Sequence, residues 1–168
     1  MIKTFFSSIL CLICFLPKTS TSQNHQAKAE TYFGNYLSKN KMNELILRSL
    51  PTLADSKKIF KTEEDAKQFM LLVDALGSKM KEQKTGDDEV FPKLEVNTFT
   101  LNDIKEGQAH YNIGLLRIID KFAPTVRFYS VRFLKESEFE NGFSYIYWMF
   151  VNNKWVFISK PQQAFKSK

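Results

Sequence analysis

Cysteine is almost absent from this chain, and both cysteines lie near the N-terminus. Cys11 and Cys14 fall within an apolar stretch, and the sequence after that stretch contains no further cysteine. A domain without cysteine has no disulfide and depends on its hydrophobic core for stability. The same absence excludes a cysteine nucleophile and a thiolate metal centre from the rest of the chain.

The sequence also has few of the motifs that mark phosphate, metal or nucleic-acid sites. Its six glycines form no Gly-rich phosphate loop, and it contains no Gly-x-Ser-x-Gly motif. No second histidine and no carboxylate pair lies at ligand spacing beside His110, so we expect no metal and no cofactor. The net charge is +6, but the basic residues are dispersed along the chain, which argues against a nucleic-acid partner.

A short apolar run opens the chain. Residues 5–16 form a largely apolar run of 12 residues. That run is shorter than the roughly 20 residues that span a bilayer. Small polar residues follow it, and we predict a signal peptide over residues 1–22, cleaved after Ser22. The mature chain, residues 23–168, is then a single exported domain, periplasmic or extracellular, with no membrane span. A retained anchor and a lipoprotein processed at Cys11 or Cys14 are the alternatives.

The most informative stretch lies near the C-terminus, where two aromatic and β-branched runs flank Asn152 and Asn153. Asparagine tolerates positive φ, which a two-residue type I′ turn requires. This turn pairs Val151 with Lys154 and sets every later pair of the hairpin. One face then carries Trp148, Phe150, Trp155 and Phe157, and the other carries Tyr147, Met149, Val156 and Ile158. Because both faces are apolar, we predict a sheet that is covered on both sides.

Helical periodicity comes first in the chain, and the two-residue period of strands comes later. Apolar spacing predicts helices over residues 27–37, 42–50, 52–60 and 63–82, the last capped by Thr62. Strands are predicted over 94–101 and 126–135, and a further strand within 108–122, where the run 113–119 fits a strand or a helical turn. A turn over 102–107, a frayed start over 23–26 and a tail over 162–168 complete the prediction. This order predicts an α+β fold with N-terminal helices packed on one face of a curved antiparallel sheet.

Three segments carry a resemblance to a known group. They are residues 128–134 (FYSVRFL), 145–150 (YIYWMF) and 153–157 (NKWVF). In this pattern the C-terminal half resembles the nuclear transport factor 2-like group of cone-shaped α+β proteins. A cystatin-like fold is the alternative. The resemblance implies a curved sheet that can enclose a conical pocket, and it leaves function open because the group includes enzymes, ligand binders and interaction modules.

His110 is the first candidate for chemistry, because it is the only histidine within the expected folded body. Histidine acts as a base near neutral pH, and Asp103 and Asp120 lie near it in sequence. The resemblance implies that a His–Asp pair in a conical pocket could abstract a proton. A surface position for His110 is the competing interpretation.

Arginines and tyrosines of the strand region are candidates for ligand binding. Arg117, and with it Arg127 and Arg132, could bind an anion, and the competing interpretation is ion pairing or solvent exposure. Strict alternation puts Tyr145 and Tyr147 on one face with Met149, where their hydroxyl groups could orient a small molecule in a cavity. Packing under the helices is the competing interpretation for both tyrosines.

Two functions of different classes follow from these features. The first is a non-catalytic module that binds a protein partner, or forms a homodimer, through the sheet. The second is a pocket that binds a small apolar or anionic molecule, or an enzyme that uses His110 with Asp120. We favour the first, because both faces of the hairpin are apolar and catalytic motifs are missing from the sequence.

Overall fold

The computed structural model describes residues 21–82, 89–107, 113–134 and 143–165 of the chain. Helices and strands follow one another in the order α1 (Thr21–Phe33), α2 (Lys39–Arg48), α3 (Leu53–Ile59), α4 (Glu63–Glu82), β1 (Lys93–Thr100), α5 (Leu101–Lys105), α6 (Ile113–Leu116), β2 (Arg127–Leu134), β3 (Phe143–Val151) and β4 (Lys154–Phe157). Short 3₁₀ turns lie at Gly34–Tyr36, Ile119–Lys121 and Pro161–Gln163.

The four strands form one curved antiparallel sheet in the order β1-β2-β3-β4. Neighbours in the sequence are neighbours in the sheet, so the strands make a simple meander. Helices precede the sheet and pack on it, and the predicted α+β class is confirmed.

The hairpin that joins β3 to β4 has the predicted turn and register. Asn152 and Asn153 have φ angles of 50° and 60°, as the two central residues of a type I′ turn must. Val151 pairs with Lys154, and the following pairs run to Trp148 with Phe157. The Tyr147 N–H donates to the Ile158 carbonyl at 3.0 Å, and the Ile158 N–H donates back at 2.7 Å. The two asparagines therefore determine which face each later side chain occupies.

Replacing Asn153 with alanine is expected to lower the free energy of unfolding by about 1 kcal/mol, because alanine pays the steric cost of positive φ. Asn153 is the cleaner of the two positions, since the Asn152 side chain also bonds to Asp55. Urea denaturation of Asn153→Ala and Asn153→Gly checks this. Glycine adopts positive φ freely and should stay near the stability of the native chain. Equal losses in both variants would contradict the role given to φ.

Helices α1 and α2 cover one face of the sheet, and we call the packed group between them the front cluster. Phe33 of α1 lies 4.8 Å from Trp148 of β3, ring centroid to ring centroid. The buried members of the front cluster are Ala29, Phe33, Met42, Leu45, Ile46, Phe91, Val96, Tyr129, Val131, Phe133, Trp148 and Phe157. The Phe157 N–H also donates to the Ser49 carbonyl at 2.8 Å, which joins the edge strand β4 to the end of α2.

The opposite face of the sheet packs against residues of α3, α4, α5 and α6, and we call this group the back cluster. Its sheet members are Phe99, Phe128, Tyr147, Met149, Val156 and Ile158. Phe60 and Phe122 stack at 5.1 Å between the helices and the sheet. Helices thus cover both faces, which confirms the prediction of a sheet covered on both sides and corrects the expectation that helices pack on one face alone. The second apolar face of the hairpin is buried by helices of the same chain.

Helix α4 has the predicted bounds and cap. The Asp65 N–H donates to the Thr62 hydroxyl at 3.0 Å, and Glu63, Glu64 and Asp65 occupy the first turn, where carboxylates favour the positive end of the helix dipole. Ala66, Phe69 and Val73 then enter the back cluster at helical spacing. This helix follows from local rules alone.

Several predicted segments have a different structure. Residues 101–105 form helix α5 instead of the expected turn, because Thr100 and Asp103 make a capping box. Within the expected strand region 108–122, residues 113–121 are helical or turn, Phe122 forms an isolated antiparallel bridge with Phe60, and residues 108–112 lie outside the described part. Helix α1 spans Thr21–Phe33 and so includes residues 23–26, where a frayed start was expected. The expected C-terminal tail is partly docked, since the Gln68 amide donates to the Ala164 carbonyl at 2.7 Å.

Candidate functional site

The catalytic pair proposed from the sequence is only partly within the described structure. His110 lies outside the described residues, and so the hypothesis that it acts as a base stays a prediction. Asp120 is described, and its side chain is 86% exposed, with one carboxylate oxygen 4.0 Å from the Lys105 ammonium. Asp103 caps helix α5 through Thr100. Asp120 is therefore exposed, and Asp103 is half-buried at the start of α5.

The two tyrosines of β3 are separated by an irregularity in the strand. Tyr145 pairs with Val131, Ile146 pairs with Ser130, and the register then shifts before Trp148 pairs with Tyr129. The side chain of Tyr145 lies outside the described part of the structure, and so the shared face of Tyr145 and Tyr147 stays a prediction. Tyr147 is buried in the back cluster. Its ring contacts that of Phe128 edge-on at 5.6 Å. Tyr147 therefore packs beneath the helices, as the competing interpretation expects.

The three arginines have different surroundings. Arg117 follows α6 and is exposed. Arg132 lies 3.4 Å from a carboxylate oxygen of Glu95 on the neighbouring strand, as the ion-pairing interpretation expects. Arg127, at the start of β2, donates to the Thr98 hydroxyl at 3.4 Å. Arg127 also lines a cleft.

A cleft of about 500 Å³ lies beside the outer end of the hairpin, and we call it the first cleft. Residues from α1, α3, the chain before β2, β2 itself and β3 contribute to it. Its ionisable and polar walls include His25, Lys58, Arg127 and Asn152, and Met149 and Phe150 are apolar. Two cationic side chains, from α3 and β2, and a histidine from α1 therefore face one opening.

A neighbouring cleft of about 510 Å³, the second cleft, lies on the other side of Phe150. Tyr32 and Tyr36 of the α1 region and Trp155 of β4 form aromatic walls, and Arg48 and Lys154 add positive charge. Tyr32 stacks on Trp155 at 5.6 Å. Burial and a hydrogen bond with Tyr36 raise the pKa of Tyr32 to about 12, so its hydroxyl group stays neutral.

Phe150 separates the two clefts and lines both of them. Its side chain is 52% exposed, although Met149 and Trp148 before it are buried. Only Trp155 is found as an aromatic neighbour within the described residues, at 5.3 Å and edge-on. We call Phe150 and the walls of the two clefts the hairpin-end surface. It is a cationic surface with an exposed aromatic ring at its centre.

Asp55 of α3 anchors the hairpin-end surface from beneath. Its carboxylate accepts hydrogen bonds from the Asn152 amide at 2.9 Å and from the Lys154 ammonium at 2.7 Å. It also accepts from the Thr52 N–H at 2.9 Å and the Thr52 hydroxyl at 2.7 Å. Burial raises the pKa of Asp55, but the bonds from Lys154, Thr52 and Asn152 outweigh it and lower the pKa to about 2. The turn is thus held to helix α3 by a charged and buried group.

His25 joins helix α1 to the sheet at the first cleft. Its ring Nδ1 lies 3.2 Å from the Tyr129 hydroxyl. Burial, followed by the positive charges of Arg127 and Lys28, lowers the pKa of His25. The imidazole is therefore neutral at neutral pH, and the field at the cleft is positive.

Sequence reasoning missed most of the hairpin-end surface. We placed His25 in a frayed start, although it lies four residues before Ala29 and so continues the apolar stripe of α1. Lys58 and Arg48 gave no signal, since single basic residues on helices are common. Phe150 was identified on an apolar face, but its exposure depends on where the covering helices end.

The described residues contain no group of three or more histidine, cysteine, aspartate or glutamate side chains that could hold a metal ion. No helix among the described residues is both long enough and apolar enough to cross a membrane. Comparison with protein-family models, curated proteins and solved structures found no match, and so the resemblance to the nuclear transport factor 2-like group stays a prediction.

Proposed function

We propose that this protein is a non-catalytic binding module that contacts its partner through the hairpin-end surface. The observation that carries the proposal is the exposure of Phe150, which is 52% exposed between two clefts and directly follows the buried Trp148 and Met149. Aromatic side chains beside clefts supply much of the binding free energy of protein interfaces. A partner that covers Phe150 would remove this apolar surface from water.

The position of the contact surface differs from our expectation of binding through the sheet. The front and back clusters cover both faces of the sheet with helices of the same chain. A partner or a second copy therefore cannot reach the faces without displacing helices. Among the described side chains of the hairpin, those at its outer end remain accessible.

The hairpin-end surface is also held in place before binding. Asp55 fixes both Asn152 and Lys154, and the hairpin turn has the geometry that its asparagines favour. A surface that is already ordered loses less conformational entropy when a partner binds. This rigidity supports recognition of a partner without a large rearrangement.

Export is part of the proposal. The apolar N-terminal run and the small residues up to Ser22 support a signal peptide, and we propose that the protein acts in the periplasm or outside the cell. The mass of the protein isolated from its host tests this directly. Cleavage after Ser22 leaves a chain that begins at Gln23, and a mass that includes residues 1–22 would contradict it.

The test of the contact surface is site-specific photocrosslinking in the native host. A photoreactive amino acid at position 150 is expected to capture a defined partner, because the Phe150 side chain would lie inside the interface. Leu71 of α4 offers a matched control, since it is a large apolar residue that is 72% exposed and lies outside both clefts. The same amino acid at position 71 should not capture that partner.

Binding of the purified partner then separates a specific contact from adventitious capture. Phe150→Ala is expected to weaken binding by at least about tenfold, as for a central aromatic residue of an interface, and Leu71→Ala should leave the affinity unchanged. Circular dichroism would verify that both variants fold. Equal affinities of the two variants, or equal capture from positions 150 and 71, would exclude the hairpin-end surface as the contact.

A further inference from the structure

We infer that the partner is an acidic polypeptide segment that crosses Phe150, with a carboxylate in the first cleft and an apolar side chain in the second. This inference rests on the proposed function and adds the chemical class of the partner. The charges, the aromatic walls and the open shape of the two clefts each support it.

The first cleft contains two cations that form no ion pair within the described part of the chain. Arg127 is half-buried and donates to the neutral Thr98 hydroxyl, and no carboxylate of the described residues forms an ion pair with it. Lys58 likewise forms no ion pair within the described part of the chain. A guanidinium group binds carboxylates with two parallel hydrogen bonds, and a nearby lysine adds to the attraction.

The carboxylate of Asp55, which lies beneath the hairpin-end surface, does not compete for those cations. Asp55 is 1% exposed, and its two oxygens already accept bonds from Thr52, Asn152 and Lys154. No aspartate or glutamate is among the described residues that line either cleft. An incoming carboxylate would therefore meet cations and amides without repulsion from an exposed acid.

The second cleft suits an apolar or aromatic group. Tyr32 and Trp155 stack and form one wall, and Phe150 forms another. The positive charge of Lys154 is compensated by Asp55 at 2.7 Å, which leaves Arg48 as the cation without an ion pair among the described residues that line this cleft. Aromatic walls with one guanidinium group favour an apolar side chain, and Arg48 adds attraction for an acidic neighbour in the same segment.

The shape of the two clefts distinguishes a polypeptide from a small molecule. Each has a volume of about 500 Å³ and is open to solvent, and Phe150 lines both. Small-molecule sites usually enclose most of the ligand surface. Two open clefts on either side of one exposed ring instead fit an extended chain that places successive side chains in each.

An NMR titration of the ¹⁵N-labelled chain tests the inference with two matched peptides. The probe is the blocked peptide acetyl-Glu-Ser-Phe-Ser-Glu-amide, which offers a carboxylate on either side of an aromatic ring. Its control replaces both glutamates with glutamines. We expect the acidic peptide to shift amide signals of residues 125–129 and 150–155 in a saturable way, and the control to produce much smaller shifts.

Variants assign the carboxylate to the first cleft. Arg127→Gln is expected to weaken binding of the acidic peptide by about fivefold, the size of one partly exposed ion pair. Lys105→Gln removes the same charge from α5, outside both clefts, and should leave binding unchanged. Raising the ionic strength to about 1 M, where the screening length is about 3 Å, should weaken binding of the acidic peptide and have little effect on the control.

Three outcomes would overturn the inference. Equal binding of the two peptides would remove the role of the carboxylate, and shifts outside the hairpin-end surface, or none at all, would remove the site. Inorganic phosphate that reproduces the shifts when the peptide does not would assign the first cleft to a free anion. The proposed function is tested separately: it fails if crosslinking from position 150 captures no more of the partner than crosslinking from position 71. A captured partner whose affinity survives Arg127→Gln and high salt would retain the surface and exclude an acidic partner.

Discussion

Replacing Asp55 with alanine is expected to lower the free energy of unfolding by about 2–4 kcal/mol, because hydrogen bonds to a charged group and a helix cap are lost together. Asp55 is buried and accepts bonds from Thr52, Asn152 and Lys154. The variant leaves the end of the hairpin without its link to α3. Urea denaturation followed by circular dichroism measures the loss.

Asp103 is a matched control for the local part of this effect. Thr100 and Asp103 form the same capping box at the start of α5 that Thr52 and Asp55 form at the start of α3. No ion pair to Asp103 is found among the described residues, so Asp103→Ala should cost about 1 kcal/mol, the usual value of a cap. The difference between the two variants isolates the bonds to Asn152 and Lys154. Equal losses would show that those bonds add nothing.

The pH dependence of stability provides a second check on Asp55. Its pKa is lowered from 3.8 to about 2 in the folded protein. A lowered pKa means that the folded state favours the charged form, so the stabilisation is complete above the unfolded pKa near 4. It is lost as the pH falls from about 5 towards 2. The difference in stability between the native chain and Asp55→Asn should therefore shrink across this range and remain constant from pH 6 to 8.

The elements that the sequence predicted well depend on interactions between residues close in the chain. Helix α4 follows from the Thr62 cap, the acidic first turn and the apolar stripe through Ala66, Phe69 and Val73. The hairpin follows from two asparagines and the alternation on either side. Local geometry sets both, so the sequence contains the necessary information.

The features that could not be predicted depend on packing between distant segments. The sequence shows two apolar faces on the hairpin, but it does not show that separate helices cover each face. The sequence also does not show where the covering helices end. The position of those ends determines that Trp148 is buried and that Phe150 is exposed.

The proposed site keeps the kind of chemistry that the sequence suggested, which stays a prediction, but assigns it to other residues. Anion binding by an arginine of the strand region remains in the proposal, but it is carried by Arg127, with Lys58 and His25 from helices far away in the sequence. These helices meet the strand only after the chain folds. Interaction through an apolar hairpin also remains, and it is confined to the end that the helices leave accessible.

Replacing Phe128 with alanine is expected to cost about 3–5 kcal/mol, the range for removal of a fully buried aromatic ring. Phe128 lies in the middle of the back cluster. Its ring contacts Phe99 at 5.4 Å, Phe122 at 5.2 Å and Tyr147 at 5.6 Å. The cavity would open between the sheet and the α-helical layer, where neighbours from several elements cannot all move inward. Denaturation by urea and by heat measures the loss.

Phe150→Ala is the matched comparison, because it removes the same side chain from an exposed position instead of a buried one. Phe150 is 52% exposed, so its removal should cost under about 1 kcal/mol of stability. The two phenylalanines then have opposite roles. Phe128→Ala should weaken the fold, whereas Phe150→Ala should keep the fold and lose the partner. A large loss of stability from Phe150→Ala would mean that the exposed ring serves the fold, and the hairpin-end surface would lose its main argument as a binding site.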